Sequence, residues 1–282
     1  KKQETTIWFG IILTIIYSIA SFLRVDIWKD SFSLFSDVIQ KTENQAFAYY
    51  NRGLALYQNQ DYNKAISDFN KTLQIDPSFK EVYAKRAFSL LKINNPASLQ
   101  DFKLAWDQEP NNEDIMSNYA KACLTFGDLQ KGVEVSNRAI QLNQKNPELY
   151  YIRGLLLATG NVPQKAIEDY SMAIALNTNY ADAYVNRGNI YANQQQYEPA
   201  MADFNAALKA NPKHSRAFSN RANLNSILGK YPEAIADYSQ AIAIDSKYTN
   251  AYIGRAKAYE KTGNIAAMQQ DINVAKSLGV GK

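Results

Sequence analysis

Chemically reactive side chains are scarce in this sequence. The 282 residues include one cysteine, Cys123, and one histidine, His214. A single cysteine excludes an intramolecular disulfide and a CxxC metal or redox motif, and a single histidine leaves little for a Ser-His-Asp or Cys-His arrangement. The phosphate-binding patterns GxxxxGK(S/T) and GxGxxG are absent as well. We therefore expect no enzymatic activity, no cofactor and no metal site in this chain.

Charge of one sign is not concentrated anywhere either. The net charge is +4, from 31 basic and 27 acidic residues spread along the chain. No dense block of lysine and arginine occurs, whereas nucleic-acid-binding domains cluster basic residues on one face. The sequence therefore predicts no nucleic-acid partner.

The N-terminal part contains one long run without charge. Thr5–Leu23 comprises 19 uncharged residues between Glu4 and Arg24, with Trp8 and Trp28 near the two ends. About 20 apolar residues span the hydrocarbon core of a bilayer, and tryptophan is enriched at membrane interfaces. We predict a transmembrane anchor at residues 5–23, within an anchor and juxtamembrane segment at residues 1–30.

A signal peptide is the alternative interpretation of this run. Lys1 and Lys2 would form its basic start, and Ser18 and Ala20 would form a small-x-small cleavage site. Basic residues are balanced on the two sides of the run, so they do not indicate which face of the membrane the rest of the chain occupies. The chain begins with lysine instead of methionine, from which we expect a processed form or a fragment of a longer protein.

A repeat of 34 residues occupies most of the chain. Similar phrases recur, such as YVNRGNIYANQQQYEPAMADF and FSNRANLNSILGKYPEAIADY. Counting from Ala46 gives seven copies, at residues 46–79, 80–112, 113–146, 147–180, 181–214, 215–248 and 249–282. Position 8 of every copy is small: Gly53, Ala87, Ala120, Gly154, Gly188, Ala222 and Ala256. Because a larger side chain would overpack a close crossing of two helices, each copy is predicted to be a helical hairpin.

This pattern resembles the tetratricopeptide repeat (TPR), whose period is 34 residues. The resemblance covers Ala46 to the C-terminus. It implies an all-α fold, a TPR solenoid that forms a right-handed superhelix of helix-turn-helix repeats, here preceded by one transmembrane helix. Arrays of this kind bind a protein or peptide in a curved groove lined by helix A of each repeat. A solenoid needs a cap, and we predict a capping helix at Ser31–Lys41, within residues 31–45.

Arginine at position 7 and aspartate at position 23 occur together. Six repeats have both, and the third repeat has Tyr119 and Val135 instead. Joint loss predicts that the two residues form an ion pair that joins helix A to helix B, in preference to a charged stripe that binds a ligand. The predicted pairs are Arg52 with Asp68, Arg86 with Asp101, Arg153 with Asp169, Arg187 with Asp203, Arg221 with Asp237, and Arg255 with Asp271.

Polar residues predicted to line the groove are mostly asparagines. An amide side chain both donates and accepts, so a series of them would hold the backbone of a peptide of any sequence. The candidate partner-binding residues are Asn51, Asn118, Asn186, Asn189, Asn193, Arg216, Asn220 and Asn223. The arrangement resembles the asparagine ladder of TPR arrays that bind extended peptides, although Lys85, Ile152 and Gly254 interrupt it. The alternative is that asparagine is merely a tolerated surface residue in an asparagine-rich chain.

The two-carboxylate clamp of chaperone-binding TPR domains does not match this sequence. That motif needs a set of lysine, arginine and asparagine residues in three successive repeats. In repeats four to six only Asn186 matches it, with Arg216 as a basic substitute. Binding of a chaperone's C-terminal tail is therefore disfavoured.

The segment before the repeats supports a second hypothesis. It resembles the junction between the last membrane span and the repeats in transmembrane TPR O-mannosyltransferases, over about 20 residues. The residues that carry this similarity are Arg24, Trp28, Lys29, Leu34, Phe35 and Asp37. It would make the chain the C-terminal region of a larger polytopic glycosyltransferase-like protein or membrane complex, with catalysis elsewhere and the repeats outside the cytoplasm. The first hypothesis is a singly anchored membrane scaffold.

The positions of the histidine and the cysteine within their repeats suggest structural roles for both residues. His214 falls in a turn between repeats, next to Lys213, and is expected to be solvated. Cys123 falls at position 11 of the third repeat, which is a core position, and is expected to be inert.

Overall fold

The computed structural model describes residues 29–42 and 44–279, and this part of the chain contains fifteen α-helices and no β-strand. It divides into two compact units that meet between Phe126 and Gly127. The first unit contains α1 Ser31–Lys41, α2 Ala46–Gln58, α3 Tyr62–Ile75, α4 Glu81–Lys92, α5 Ser98–Gln108 and α6 Glu113–Phe126. The second contains α7 Leu129–Leu142, α8 Pro147–Thr159, α9 Pro163–Leu176, α10 Ala181–Asn193, α11 Tyr197–Ala210, α12 Ser215–Ile227, α13 Tyr231–Ile244, α14 Thr249–Lys261 and α15 Ile265–Ser277.

No helix of the described residues is both long enough and apolar enough to cross a membrane. The predicted span at Thr5–Leu23 lies outside these residues, together with Trp8, Arg24 and Trp28. Of the residues that resemble the mannosyltransferase junction, Leu34, Phe35 and Asp37 lie within α1.

Even-numbered helices from α2 onward correspond to helix A of a repeat, and the helix that follows each of them corresponds to helix B. The hairpins form where a bare backbone lets an aromatic ring approach. A Cβ atom on Gly154 would lie 2.7 Å from Cε1 of Tyr170, and one on Gly188 would lie 2.8 Å from Cε1 of Phe204. Such distances are too short for any side chain, so glycine at position 8 is what allows α8 to lie against α9 and α10 against α11.

Alanines fill the remaining close contacts. Ala166, Ala200 and Ala234, at position 20 of successive repeats, are fully buried, as are Ala173 and Ala207 at position 27. The large buried side chains between them come mostly from position 24. In five of the seven repeats this residue is a buried ring, and small residues around it set the distance between helices. These rings are Phe69, Phe102, Tyr170, Phe204 and Tyr238.

The first repeat is covered by α1, whose bounds coincide with the predicted capping helix. Asp30 caps this helix: its Oδ1 accepts a hydrogen bond of 2.7 Å from the backbone nitrogen of Ser33. Phe35 of α1 meets Phe47 of α2 edge to face, with ring centroids 6.0 Å apart.

The expectation that His214 is solvated is wrong. His214 directly precedes α12, and its Nδ1 accepts a hydrogen bond of 3.2 Å from the backbone nitrogen of Ala217. Its Nε2 lies 3.3 Å from Oδ1 of Asp182, and the side chain is only 12% exposed. The free N–H groups at a helix start need an acceptor, which holds the ring against the protein. Cys123 is buried, as its core position predicts.

Candidate functional site

Arginines at position 7 make two parallel hydrogen bonds to the aspartate at position 23 of their own repeat. In Arg187, for example, Nε lies 2.9 Å from Oδ2 of Asp203 and Nη2 lies 2.7 Å from Oδ1. The same contacts, all between 2.6 and 2.9 Å, join the other predicted pairs: Arg52 with Asp68, Arg86 with Asp101, Arg153 with Asp169, Arg221 with Asp237 and Arg255 with Asp271. Two-point contact of this kind is the strong form of an arginine–carboxylate interaction.

Each aspartate is nearly buried, and each arginine is about one-fifth exposed. The side chain of Asp203 is 7% exposed and that of Arg187 is 18% exposed. The hydrogen bond to aspartate raises the pKa of Arg52, Arg86, Arg153, Arg187 and Arg255. The position-4 ring one turn earlier stacks under each guanidinium, as Tyr184 does at 5.8 Å. These charges are satisfied within the protein and are not available to a ligand.

A third contact, which was not expected from the sequence, joins five of the six arginines to the preceding repeat. The remaining guanidinium nitrogen, Nη1, donates to an asparagine or serine at position 25 of the helix B before it, at 2.7–2.9 Å. The pairs are Arg86 with Asn70, Arg153 with Asn137, Arg187 with Ser171, Arg221 with Asn205, and Arg255 with Ser239. At the junction between the second and third repeats both members of the pair are different. Position 25 of the second repeat is Lys103, and position 7 of the third repeat is Tyr119.

Helices A line one face of the second unit. Neighbouring helices A contact each other there, α10 with α12 and α12 with α14, and they lie closer together than neighbouring helices B. The face that helices A present is therefore the inner side of the curve within this unit.

Two cross-helix hydrogen bonds organise the asparagines of this face. Nδ2 of Asn186 donates to the hydroxyl of Tyr151 on α8, at 3.1 Å. Nδ2 of Asn220 donates to Oδ1 of Asn189 on the helix before it, at 2.7 Å. These bonds leave the Nδ2 donors of Asn189 and one oxygen acceptor on Asn220 without a partner among the described residues. One donor and one acceptor side by side match the N–H and C=O groups of a peptide.

The other candidate residues are placed differently. Asn51 and Asn118, in the first unit, each donate to the carbonyl four residues earlier in their own helix, at 2.8 Å. Arg216 donates to Oδ1 of Asp182 at 2.6 Å, in an exposed pair. Asn193 is exposed and makes no hydrogen bond with any described residue. The structure therefore brings Asn189, Asn193, Asn220 and Asn223 together, with Asn186 on the same face, and places Asn51 and Asn118 in the first unit.

Two adjoining depressions lie on this face. The smaller has a volume of about 320 Å³ and is lined by Asn189, Asn193, Asn220 and Asn223, with Phe204 and Leu224 beneath. The larger, of about 590 Å³, lies between α12, α13 and α14. Asn223 and Ile227 line both of them, so the two depressions form a continuous groove across repeats five to seven.

Gly254 lies in the wall of the larger depression, against the ring of Tyr238. A Cβ atom there would lie 2.4 Å from Cζ of Tyr238, which occupies the space instead. In the fourth and fifth repeats the ring at position 24 lies against the glycine at position 8 of the same repeat. The sixth repeat has Ala222 at position 8, and its ring lies against Gly254 of the seventh repeat instead. The hydroxyl of Tyr238 donates to Oδ1 of Asn223 at 2.5 Å, and burial raises the pKa of Tyr238. Gly254, which was expected only to interrupt the row of asparagines, thus allows the ring of Tyr238 to lie against α14.

Three tyrosines lie near the opposite end of this face. The ring centroid of Tyr151 is 4.8 Å from that of Tyr180 and 5.9 Å from that of Tyr170. Burial raises the pKa of all three phenols, so they remain neutral donors at physiological pH. Asn186, which binds the hydroxyl of Tyr151, connects this cluster to the asparagines.

Family models match four stretches of the chain. The tetratricopeptide-repeat model matches residues 46–79 and 181–214, and a second TPR-repeat model matches residues 164–195 and 227–263. These matches, together with the hairpins described above, identify TPR repeats in this chain. A solved tetratricopeptide repeat protein from Parabacteroides merdae superposes with a TM-score of 0.68 at 18% identity, over 88% of this chain and 94% of that one, which supports the all-α TPR fold.

Among curated proteins, the chain is similar to parts of larger ones. It is 28% identical over 113 residues to serine/threonine-protein phosphatase T of Aspergillus oryzae, which is 39% of this chain and 24% of that protein. It is 31% identical over 107 residues to a TPR repeat-containing protein of Methanocaldococcus jannaschii, which is 36% of this chain and 18% of that protein. The chain thus spans a quarter or less of the length of these relatives, and the phosphatase activity does not carry over to it.

Proposed function

We propose that this chain is a non-catalytic scaffold that binds an extended segment of a protein partner in the groove of α10, α12 and α14. The groove is open and continuous over three repeats, and it is lined mainly by amide side chains, with Lys257 and Lys261 in its larger depression. The observation that carries the proposal is the unpaired donor of Asn189 beside the unpaired acceptor of Asn220, held in place by the hydrogen bond between them. A peptide backbone supplies the complementary groups.

The alternative interpretation, that these asparagines are only tolerated surface residues, explains the geometry less well. Both Asn186 and Asn220 are partly buried and bind across to the neighbouring helix A. A solvated surface asparagine in a helix needs no such partner, and the bonds of Asn51 and Asn118 to their own helices illustrate that case. The asparagines of the second unit are therefore arranged across helices, as a ligand-binding row requires.

We further propose that Thr5–Leu23 anchors the scaffold in a membrane. The support is the length of the uncharged run and the tryptophans that flank it. The second hypothesis, a glycosyltransferase-like protein that continues upstream of Lys1, predicts several further apolar spans in the reading frame. A start codon immediately before Lys1 would eliminate it.

Peptide display tests the groove. A random dodecapeptide library is selected on the full chain, on an Asn189→Ala/Asn220→Ala variant, and on an Asn51→Ala/Asn118→Ala control with the same number of amides removed. We expect the full chain and the control to enrich the same peptides, and the groove variant to bind them at least about fivefold more weakly, since two hydrogen bonds are lost. Equal affinity of all three proteins, or no enrichment by the full chain, would refute peptide binding at this site.

Membrane association is tested by deleting residues 5–23. We expect the full chain to remain in the membrane fraction after alkaline carbonate washing, which removes peripheral proteins, and the deletion variant to be released. Release of both would contradict the anchor.

A further inference from the structure

Charge differs between the two depressions of the groove. No charged side chain lines the smaller one, whereas Lys257 and Lys261 line the larger one, on the exposed side of α14. Neither lysine forms an ion pair or a hydrogen bond with any described residue. No aspartate or glutamate is among the described residues that line this depression. It therefore carries two positive charges that the protein itself does not neutralise.

The neutral polar groups of this depression are also oriented as donors. Tyr238 donates to Oδ1 of Asn223, which fixes the amide so that its Nδ2 is the group left for a ligand. Asn250, one turn before Gly254, lines the same depression and has no hydrogen bond to any described residue. Two ammonium groups and oriented amide donors suit a group that only accepts hydrogen bonds and carries negative charge, which is a carboxylate.

Apolar side chains complete the lining. Ile253 and Tyr231 border the depression, and Ile227, which it shares with its smaller neighbour, is 62% exposed. A large apolar side chain so exposed inside a groove offers a contact surface for an apolar residue of a ligand. The depression adjoins the one lined by the asparagines and shares Asn223 and Ile227 with it, so a side chain that projects from a peptide held by the asparagines reaches it.

We propose, on the basis of the function proposed above, that the larger depression selects an acidic residue of the bound peptide. The peptide backbone lies along Asn189 and Asn220, and an aspartate or glutamate enters beside Gly254. Its carboxylate meets Lys257, Lys261 and the amide of Asn223, and an apolar neighbour in the peptide contacts Ile227. The partner of this scaffold therefore carries an extended acidic segment, in which an apolar residue adjoins the acid.

The peptides enriched on the full chain in the display experiment provide the test. We expect aspartate or glutamate at one fixed position beside an apolar residue. Replacing that acid by its amide should weaken binding about fivefold to thirtyfold, the range for losing two partly exposed charge pairs. A Lys257→Gln/Lys261→Gln variant should bind the acidic peptide as weakly as the full chain binds the amide peptide, and should not distinguish the two.

The control variant is Lys209→Gln/Lys213→Gln, which makes the same change in net charge at exposed positions outside the groove. We expect it to retain the preference for the acid. If enriched peptides show no preference for an acid, or if the control loses the preference as completely as the groove variant does, the acidic selection is refuted while peptide binding stands. If the full chain enriches no peptide, the proposed function fails and this inference fails with it.

Discussion

Replacing Arg187 by methionine should strongly destabilise the second unit. The substitution leaves the carboxylate of Asp203 nearly buried and removes both hydrogen bonds from it, together with the contact to Ser171 of the preceding repeat. Removing one partner of a buried pair costs about 3–5 kcal/mol. Because the guanidinium keeps some contact with solvent, we expect a loss near the lower end, about 3 kcal/mol, which corresponds to a fall in melting temperature of about 6–12 °C.

The exposed pair of Arg216 and Asp182 provides a matched control. Its contact is equally short, at 2.6 Å, but the two side chains are 46% and 49% exposed. An exposed ion pair contributes only about 0–1 kcal/mol, so Arg216→Met should change the melting temperature by about 3 °C at most. Circular dichroism at 222 nm follows the unfolding of both variants.

A double variant separates the loss of a pair from the loss of packing. In Arg187→Met/Asp203→Leu no charge is left buried, and we expect most of the lost stability to return. If Arg187→Met and Arg216→Met lower the melting temperature equally, or if the double variant is less stable than Arg187→Met alone, then burial is not what makes these pairs important.

Three further predictions follow from local contacts. Gly154→Ala should cost about 1–3 kcal/mol in urea denaturation, since its Cβ would lie 2.7 Å from the ring of Tyr170; a loss no larger than that of Gly160→Ala, where φ is −77° and no ring is near, would contradict this. His214→Ala should cost about 0.5–2 kcal/mol through the lost cap of α12, and His214→Asn should restore part of it; equal melting temperatures of all three proteins would exclude a capping role. Burial raises the pKa of Tyr151 and of its two neighbours above the unfolded value of 10.0, so their contribution to stability is complete below that pH and is lost as the pH rises through their folded-state pKa values. Absorbance at 295 nm should then show tyrosines that ionise only together with alkaline unfolding, whereas ionisation of every tyrosine near the unfolded value would disprove their burial.

Features that repeat within one hairpin could be predicted from the sequence. Small residues at positions 8, 20 and 27 mark the close contacts between two helices, and they recur with the period of the chain itself. The bounds of the hairpins therefore follow from packing: α8 begins at Pro147, α10 at Ala181 and α12 at Ser215, each the first residue of its predicted repeat. Arginine and aspartate vary together because both belong to the same hairpin.

Features that join one repeat to the next could not be predicted in this way, because their two residues belong to different repeats. Asn205 is the acceptor for Arg221 of the following repeat, so comparing positions inside each repeat does not show the pair. The role of Gly254 depends on Tyr238 and on Ala222, which belong to the repeat before it. His214 was expected to be solvated because its turn is polar, yet its ring accepts a hydrogen bond from the backbone nitrogen of Ala217 at the start of α12.

The contact between position 25 and the next arginine has a consequence for how such a chain lengthens. Asn205 and Arg221 are 16 residues apart, on either side of a boundary between repeats. A duplicated block of 34 residues carries one acceptor and one arginine, so it would re-create the contact at both of its new junctions wherever it is inserted. An insertion between these two residues that is not a whole number of repeats would separate the two groups and leave a guanidinium nitrogen unbonded. Genetic gain or loss of whole repeats is therefore the change in length that this hydrogen-bond pattern tolerates best.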